Sequence, residues 1–298
     1  MTTSDDSDDA NLLARHFEEY RSHLRSVGYR MLGSFSEADD AVQETWLRLN
    51  RTDPDGIDNL GGWLTTVTAR VCLDMLRSRA ARREDSLDTH VPDPLVSAAD
   101  DLDPEQEALL ADSVGLALLV VLDTLAPAER LAFVLHDMFA VPFDDIAPVV
   151  GRTSAAARQL ASRARRRVQG AEATPDPDPG RQRAVVNAFL AAARDGDFDG
   201  LVAVLDPEVV LRADVGAGGR GVSQEVHGAA DVARQALLFR GAGAAPRPVV
   251  VNGAPGTLTV AGGFPRALVA FTVRNSRITH IHVLADPDRL AALDLPTD

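Results

Sequence analysis

Apolar residues recur three and four positions apart through the first third of the chain. This spacing predicts helices over His16–Leu32, Glu37–Arg48 and Gly62–Arg79. In the last of these Trp63, Val67, Val71 and Met75 form one stripe. The loop before it, NRTDPDGIDNLGG, is built from turn-forming residues. A helical pattern returns from Glu105 to Leu125 and again up to residue 170. After about residue 208 the period shortens, and helical text (RAVVNAFLAAARDGDFDGLVAVL) gives way to the β-branched runs VVLRA, PVVVN, TLTVA, RALVAFTV and RITHIHVL. Asn275-Ser276 between the last two reads as a hairpin turn. The order predicts a multidomain protein: all-α domains first, then an α+β domain with a largely antiparallel sheet.

Charge marks the seams. Arg15 to Glu84 carries eleven arginines against eleven carboxylates, whereas Glu84 to Glu129 carries twelve carboxylates and no arginine. The second stretch opens with VPDPLVSAADDLDPEQEA, the composition of a flexible linker. ATPDPDPG at 173–180 interrupts any helix. The expected organisation is a disordered acidic tail at 1–10, an all-α block at 11–84 and an acidic Pro-rich linker at 85–104. A second all-α block follows at 105–170, then a Pro/Asp linker at 171–180 and the α+β block at 181–298. The tail MTTSDDSDDA lacks the basic start and apolar core of a signal peptide, and no apolar run matches a membrane span. The single cysteine, Cys72, lies in an apolar helical pattern and reads as a buried small hydrophobe in a reducing cytoplasm.

In a chain of net charge −14, the stretch GRTSAAARQLASRARRRV at 151–168 concentrates six arginines and no carboxylate. Upstream, Ala147, Gly151, Ala157 and Leu160 have helix-turn-helix spacing: a small residue where helices approach, a glycine turn, and apolar residues that dock the second helix. Thr153 or Ser154 can cap that helix. Ser154, Arg158, Ser162 and Arg165 or Arg166 then share an exposed face, which suits major-groove entry with arginines on phosphates. The competing reading is a solvated basic helix. Pro148, inside the first helix, argues slightly for that alternative.

On YRMLGSFSEADDAVQETWLRLNR with GGWLTTVTARVCLDMLRSRAARR, and on LDTLAPAERLAFVLHDMFAVPFDDIAPVVGRTSAAARQLASRARRRV, the chain resembles bacterial RNA polymerase sigma factors of the extracytoplasmic-function class, SigJ type. The first two segments are similar to sigma region 2, a helical bundle, and the third to region 4, a helix-turn-helix. The resemblance implies that Asp39, Asp40, Gln43, Glu44 and Arg48 dock on core RNA polymerase. It implies that Arg51, Asn59, Trp63, Thr66, Arg70 and Arg77 meet unwound −10 DNA, where a basic surface tracks the single strand. Arg79, Arg82 and Arg83 add to that basic surface. For Arg70 the competitor is an i,i+4 pair with Asp74, and Trp63 reads more as core than as a stacking platform. The −35 element falls to Arg152, Ser154, Ala155, Arg158, Gln159, Ser162, Arg163 and Arg166.

The last block resembles the C-terminal SnoaL-like domain of SigJ-type factors, a cone-shaped α+β fold thought to regulate the sigma core. The family's Leu-Pro-Glu-Pro linker motif stands as Val91-Pro92-Asp93-Pro94, with Ser86 and His90 where the family has aromatic residues. Its glycine turn corresponds to Asp214, Gly216, Gly218, Gly219 and Arg220, and its C-terminal motif to Asp286, Pro287, Asp288, Arg289 and Leu290. Of these, Asp214, Gly218, Gly219, Arg220, Asp286, Pro287 and Asp288 are the expected regulatory residues. Asp206, Asp214, His227, His280 and His282 are titratable, yet they form no recognisable nucleophile, base and orienter set. His280 and His282 share a strand face without a third metal ligand. The expectation is a cytoplasmic sigma factor that is not an enzyme and uses no cofactor or metal. It binds core RNA polymerase and promoter DNA and is tuned by contact of its C-terminal domain with the sigma core or linker. The alternative is a ligand-sensing regulator whose C-terminal domain binds an unidentified small molecule or retains enzyme activity.

Overall fold

The computed structural model describes residues 5–52, 56–82, 91–98, 115–171, 176, 178–216, 224–238 and 245–296. Its helices are α1 (Asp5–Leu32), α2 (Phe35–Leu49), α3 (Leu60–Arg82), α4 (Leu116–Asp123), α5 (Pro127–Phe133), α6 (Phe143–Val150), α7 (Ser154–Gly170), α8 (Pro179–Asp195), α9 (Phe198–Val204), α10 (Ala229–Leu238) and α11 (Pro287–Ala292). Its strands are β1 (Val96–Ala98), β2 (Leu205–Asp214), β3 (Gln224–His227), β4 (Arg247–Val251), β5 (Ala254–Ala261), β6 (Phe264–Arg274) and β7 (Arg277–Leu284). They divide between one unit of residues 1–85 and 122–168 and another of 86–121 and 169–298.

In the first unit α1, α2 and α3 enclose Phe17, Leu24, Val42, Leu49 and Leu64, with Trp46 and Trp63 packed on the rim. Between α2 and α3 the buried hydroxyls of Thr45 and Thr68 lie 3.0 Å apart, and Thr45 also donates to the Ala41 carbonyl. Each therefore satisfies the other's polarity inside the core. The stripe expected on α3 is displaced by one residue. Trp63, Val67 and Met75 are half-buried, while Leu64, Thr68, Val71, Cys72 and Leu76 are buried. The reason is tertiary: α3 packs on α1 and α2 and also on α5 and α6, so its buried arc is wider than one stripe. Burial pushes the Cys72 thiol up to about 12, the environment of an inert core cysteine.

The composition of the tail predicts disorder to residue 10, but α1 begins at Asp5. Asp and Ser are residue types that favour helix starts, which explains the earlier beginning. Segment 134–138 continues α5 as a turn of π-helix and ends near Ala140, a non-glycine residue at φ 55°.

In the second unit the strand order is β1-β4-β5-β6-β7-β2-β3. All neighbours are antiparallel except β2 and β7, which run parallel. Helices α8, α9 and α10 cover a core of Val186, Phe189, Leu201, Val209, Phe271 and Ile281. This is the expected SnoaL-like α+β arrangement. Asn275 and Ser276 both have positive φ, as the two-residue hairpin turn requires. Two strands escape the sequence pattern. One, β3, is short and polar. The other, β1, comes from the linker.

Candidate nucleic-acid interface and linker clasp

Gly151 ends α6 at φ 68°, the left-handed conformation that turns the chain toward α7. Thr153 then caps α7 by accepting from the Ala156 amide at 3.2 Å. Ala147, Ala157, Ala161 and Ala164 are buried, so the two helices dock through small side chains. Pro148 sits in α6 but is exposed, and its carbonyl accepts from Arg70 of α3 at 3.3 Å.

The six arginines separate into two groups. Arg163 and Arg167 reach Glu129 at 3.4 and 3.1 Å, and Arg165 reaches Asp137 at 2.5 Å. Three of the six are therefore compensated by carboxylates of the preceding helices, contrary to the expectation of an unpaired cluster. Among the described residues, Arg152, Arg158 and Arg166 are exposed without an acidic partner in ion-pair range. Ala155 and Gln159 are also exposed, and Ser162 is half-buried.

Two contacts at the start of α7 are not foreseeable from helix spacing. Ser154 Oγ donates to Asp144 Oδ1 at 2.6 Å. The Arg158 guanidinium lies 5.2 Å from the ring centre of Phe143, which stacks at 3.8 Å on His136. The pair Asp144-Asp145 in the sequence is the only signal for the first.

In the first bundle Asn59 starts α3, its carbonyl accepting from Trp63 and its side chain from Gly62 at 3.0 Å. Thr66 donates to the Gly62 carbonyl. Asp74 pairs with Arg77 at 3.8 Å, so Arg70 is not held by the i,i+4 partner that its spacing suggests. Arg51 is exposed. Arg79 binds Glu37 and the Leu32 carbonyl, a structural role. The side chain of Arg82, and Arg83 altogether, lie outside the described residues. On α2, Asp39 pairs with Arg25 and Glu44 with Arg48, leaving Asp40 and Gln43 facing outward. Leu47, 42% exposed, lies one to two turns further along α2 and adds an apolar element to that face.

In the second unit, Asp214 is buried at the end of β2. Its carboxylate accepts from the Gly216 amide at 3.1 Å, the Val91 amide at 3.2 Å and Arg289 Nη1 at 2.6 Å. Arg289 Nη2 also donates to the Val91 carbonyl and to Asp93 Oδ1, both at 2.6 Å. Asp286 caps α11, and a side chain on Gly216 (φ 63°) would overlap its carboxylate. Beyond this clasp β1 pairs with β4, Val96 opposite Val251, and the Asn252 side chain accepts from the Leu95 amide. The stretch 91–98 is thus a bound segment ending in a strand, not the flexible linker its composition suggests. Paired carboxylates and a sheet edge supply the order that its prolines do not. Asp214 and Asp286 meet here, with Pro287 and Asp288 in the first turn of α11. Gly218, Gly219 and Arg220 lie outside the described residues.

The titratable groups of this unit do not converge. Asp206 accepts from the Glu208 amide, and His227 pairs with Glu225. His280 and His282 have parallel rings 6.1 Å apart. Among the described residues no three His, Cys, Asp or Glu side chains are placed to hold a metal. No described helix is long and apolar enough to cross a membrane.

A helix-turn-helix with three uncompensated arginines, a three-helix bundle with a polar outer edge and an α+β domain fastened to their linker together define a multidomain promoter-recognition protein. Residues 16–82 match Sigma-70 region 2, and residues 115–168 match Sigma-70 region 4. The chain is 40% identical to the ECF RNA polymerase sigma factor SigJ of Mycobacterium tuberculosis, over 94% of this chain and 93% of that one. It is 37% identical to the probable ECF sigma factor SigI of the same species, over 92% and 93%. The crystal structure of M. tuberculosis SigJ superposes with a TM-score of 0.75 at 36% identity, covering 95% of this chain and all of that one. The chain belongs to the extracytoplasmic-function RNA polymerase sigma factors.

Proposed function

We propose that the protein binds core RNA polymerase and directs it to promoters, with −10 DNA opened by the first bundle and −35 DNA read by α7, and that its C-terminal domain tunes this activity by holding the linker. The observation that carries the reading is the pairing of a bare arginine face on a capped helix-turn-helix with the Asp214–Arg289–Asp93 clasp. Asp40, Gln43 and Leu47 form the outward part of the polymerase-docking edge, with Asp39, Glu44 and Arg48 braced beside them. Arg51, Asn59, Trp63, Thr66, Arg70 and Arg77 serve the −10 strand. Arg152, Ala155, Arg158, Gln159, Ser162, Arg163 and Arg166 serve the −35 duplex together with Ser154.

The clasp acts through chain length. With residues 91–98 bound, only residues 83–90 join the first bundle to the C-terminal sheet, a reach of at most about 28 Å. Residues 99–115 carry the chain on from the clasp to α4, a further reach of at most about 60 Å. The two DNA modules must span about 85 Å of duplex between −10 and −35, at 3.4 Å per base pair. Binding of residues 91–98 therefore keeps the first bundle on a short tether to the C-terminal domain while both modules engage one promoter.

The test compares the full chain with one cut after Gly170, each mixed with core polymerase across a range of salt. Binding and promoter-directed initiation by the full chain are expected, with a changed yield in the truncated form. A full chain that fails to bind core would leave α7 as part of a lone DNA-binding regulator. A second reading, a C-terminal domain that senses a small ligand, has one observation behind it: Nδ1 of buried His282 has no hydrogen-bond partner among the described residues. Promoter activity that changes with a ligand would favour it.

A further inference from the structure

The hydrogen bond from Ser154 to Asp144 fixes more than a helix start. A carboxylate only accepts, so the Ser154 hydroxyl must be the donor at 2.6 Å. Its proton is then committed, and toward DNA Ser154 offers lone pairs alone. In the major groove adenine N6 and cytosine N4 donate, whereas guanine and thymine present acceptors. One turn along the same face stands Arg158, about 6 Å further on. Its guanidinium is braced over the Phe143 ring, itself stacked on His136, an arrangement whose ring quadrupole favours the cation. A preset guanidinium fork matches the two major-groove acceptors of guanine.

We propose that Asp144 is a specificity-positioning residue, which makes Ser154 an acceptor-only reader that selects adenine or cytosine beside a guanine selected by Arg158. The proposal rests on the assignment of α7 to the −35 element. Asp144 itself need not touch DNA. It acts by removing the donor that would let Ser154 tolerate guanine or thymine.

The experiment uses holoenzyme assembled from the full chain and core polymerase, selected on promoters randomised through the −35 region. Wild type is expected to favour adenine or cytosine one or two steps from a favoured guanine. Asp144→Ala, which removes the acceptor and leaves the hydroxyl free to donate, should reduce that preference about fivefold, leaving −10 preferences and the melting temperature in place. Ser154→Ala should lose preference at the same position, and the double variant should lose no more than either single variant. Phe143→Leu should weaken the guanine preference and spare the neighbouring one. Unchanged base preference in Asp144→Ala, or effects of the Asp144 and Ser154 variants at different positions, overturns the proposal. If Asp144→Ala misfolds, Ser154→Ala alone decides it, because an unaltered preference there is equally fatal. Wild-type chain that forms no holoenzyme defeats the sigma assignment itself, an outcome distinct from holoenzyme with altered or unaltered selectivity.

Discussion

Arg289 Nη2 lies 2.6 Å from Asp93 Oδ1, joining the last helix to a linker residue 196 positions earlier. The same guanidinium binds Asp214, whose side chain is only 9% exposed. Removing the arginine would take a cation away from that buried carboxylate, at a cost of about 3 kcal/mol. Arg289→Ala is therefore expected to free residues 91–98, seen as faster proteolysis within 86–100. Its promoter-directed initiation should change in the same direction as truncation after Gly170. Wild-type cleavage rates in the variant would show that the clasp does not hold the linker.

The division of arginines on α7 predicts two kinds of variant. Arg152→Ala, Arg158→Ala and Arg166→Ala each remove an exposed cation. Each should lower the log–log salt slope of promoter binding by about 0.9 for every phosphate it no longer neutralises. Arg165→Ala instead breaks a partly exposed pair with Asp137, so it should cost up to about 1 kcal/mol of stability and leave the slope nearly intact. Salt titrations of binding by these four single variants distinguish the groups.

Much of this architecture is legible because its signals are local. Gly151 with Ala147 and Ala157 marks the helix-turn-helix, and Asn275-Ser276 marks the hairpin between β6 and β7. What escapes depends on partners distant in the chain. Nothing near Arg163, Arg165 or Arg167 reveals Glu129 and Asp137, so half of an apparently bare basic run is internally neutralised. Likewise Val96–Ala98 has no pattern of its own and becomes a strand only because β4 offers an edge. The α3 stripe is displaced because periodicity cannot register that α5 and α6 pack on a second side.

His282 gives the second unit an acid sensitivity. Burial, and then the nearby His280 and Arg212 charges, pushes its pKa down to about 3. An unfolded chain would titrate this group near 6.5. Between those values the unfolded state holds a proton that the native state lacks, so stability rises with pH. The contribution is complete above about pH 6.5 and is lost as pH falls toward 3, by up to about 1.4 kcal/mol per unit. His282→Leu should flatten this part of the acid limb. Thermal melting of both chains from pH 7 to pH 4 should show the gap in melting temperature widening downward in pH, and parallel curves would contradict the assignment.

Arg130 is the largest fully buried side chain among the described residues. Its Nη1 pairs with Asp123 at 2.9 Å and its Nε donates to the Arg30 carbonyl near the end of α1. Nη2, however, is buried without a partner among the described residues, and burial draws the guanidinium pKa downward. A desolvated cation with an unfilled donor contributes little net stability, yet removing it alone takes a buried cation away from the Asp123 carboxylate. Arg130→Ala should therefore destabilise the first unit by about 3–5 kcal/mol. Arg130→Met with Asp123→Leu, which replaces both charges by apolar volume, should recover most of that loss. Denaturant unfolding of the wild type, the single variant and the pair measures the difference. A pair as unstable as Arg130→Ala would mean that the charges themselves, rather than the volume they fill, hold α5 to α1.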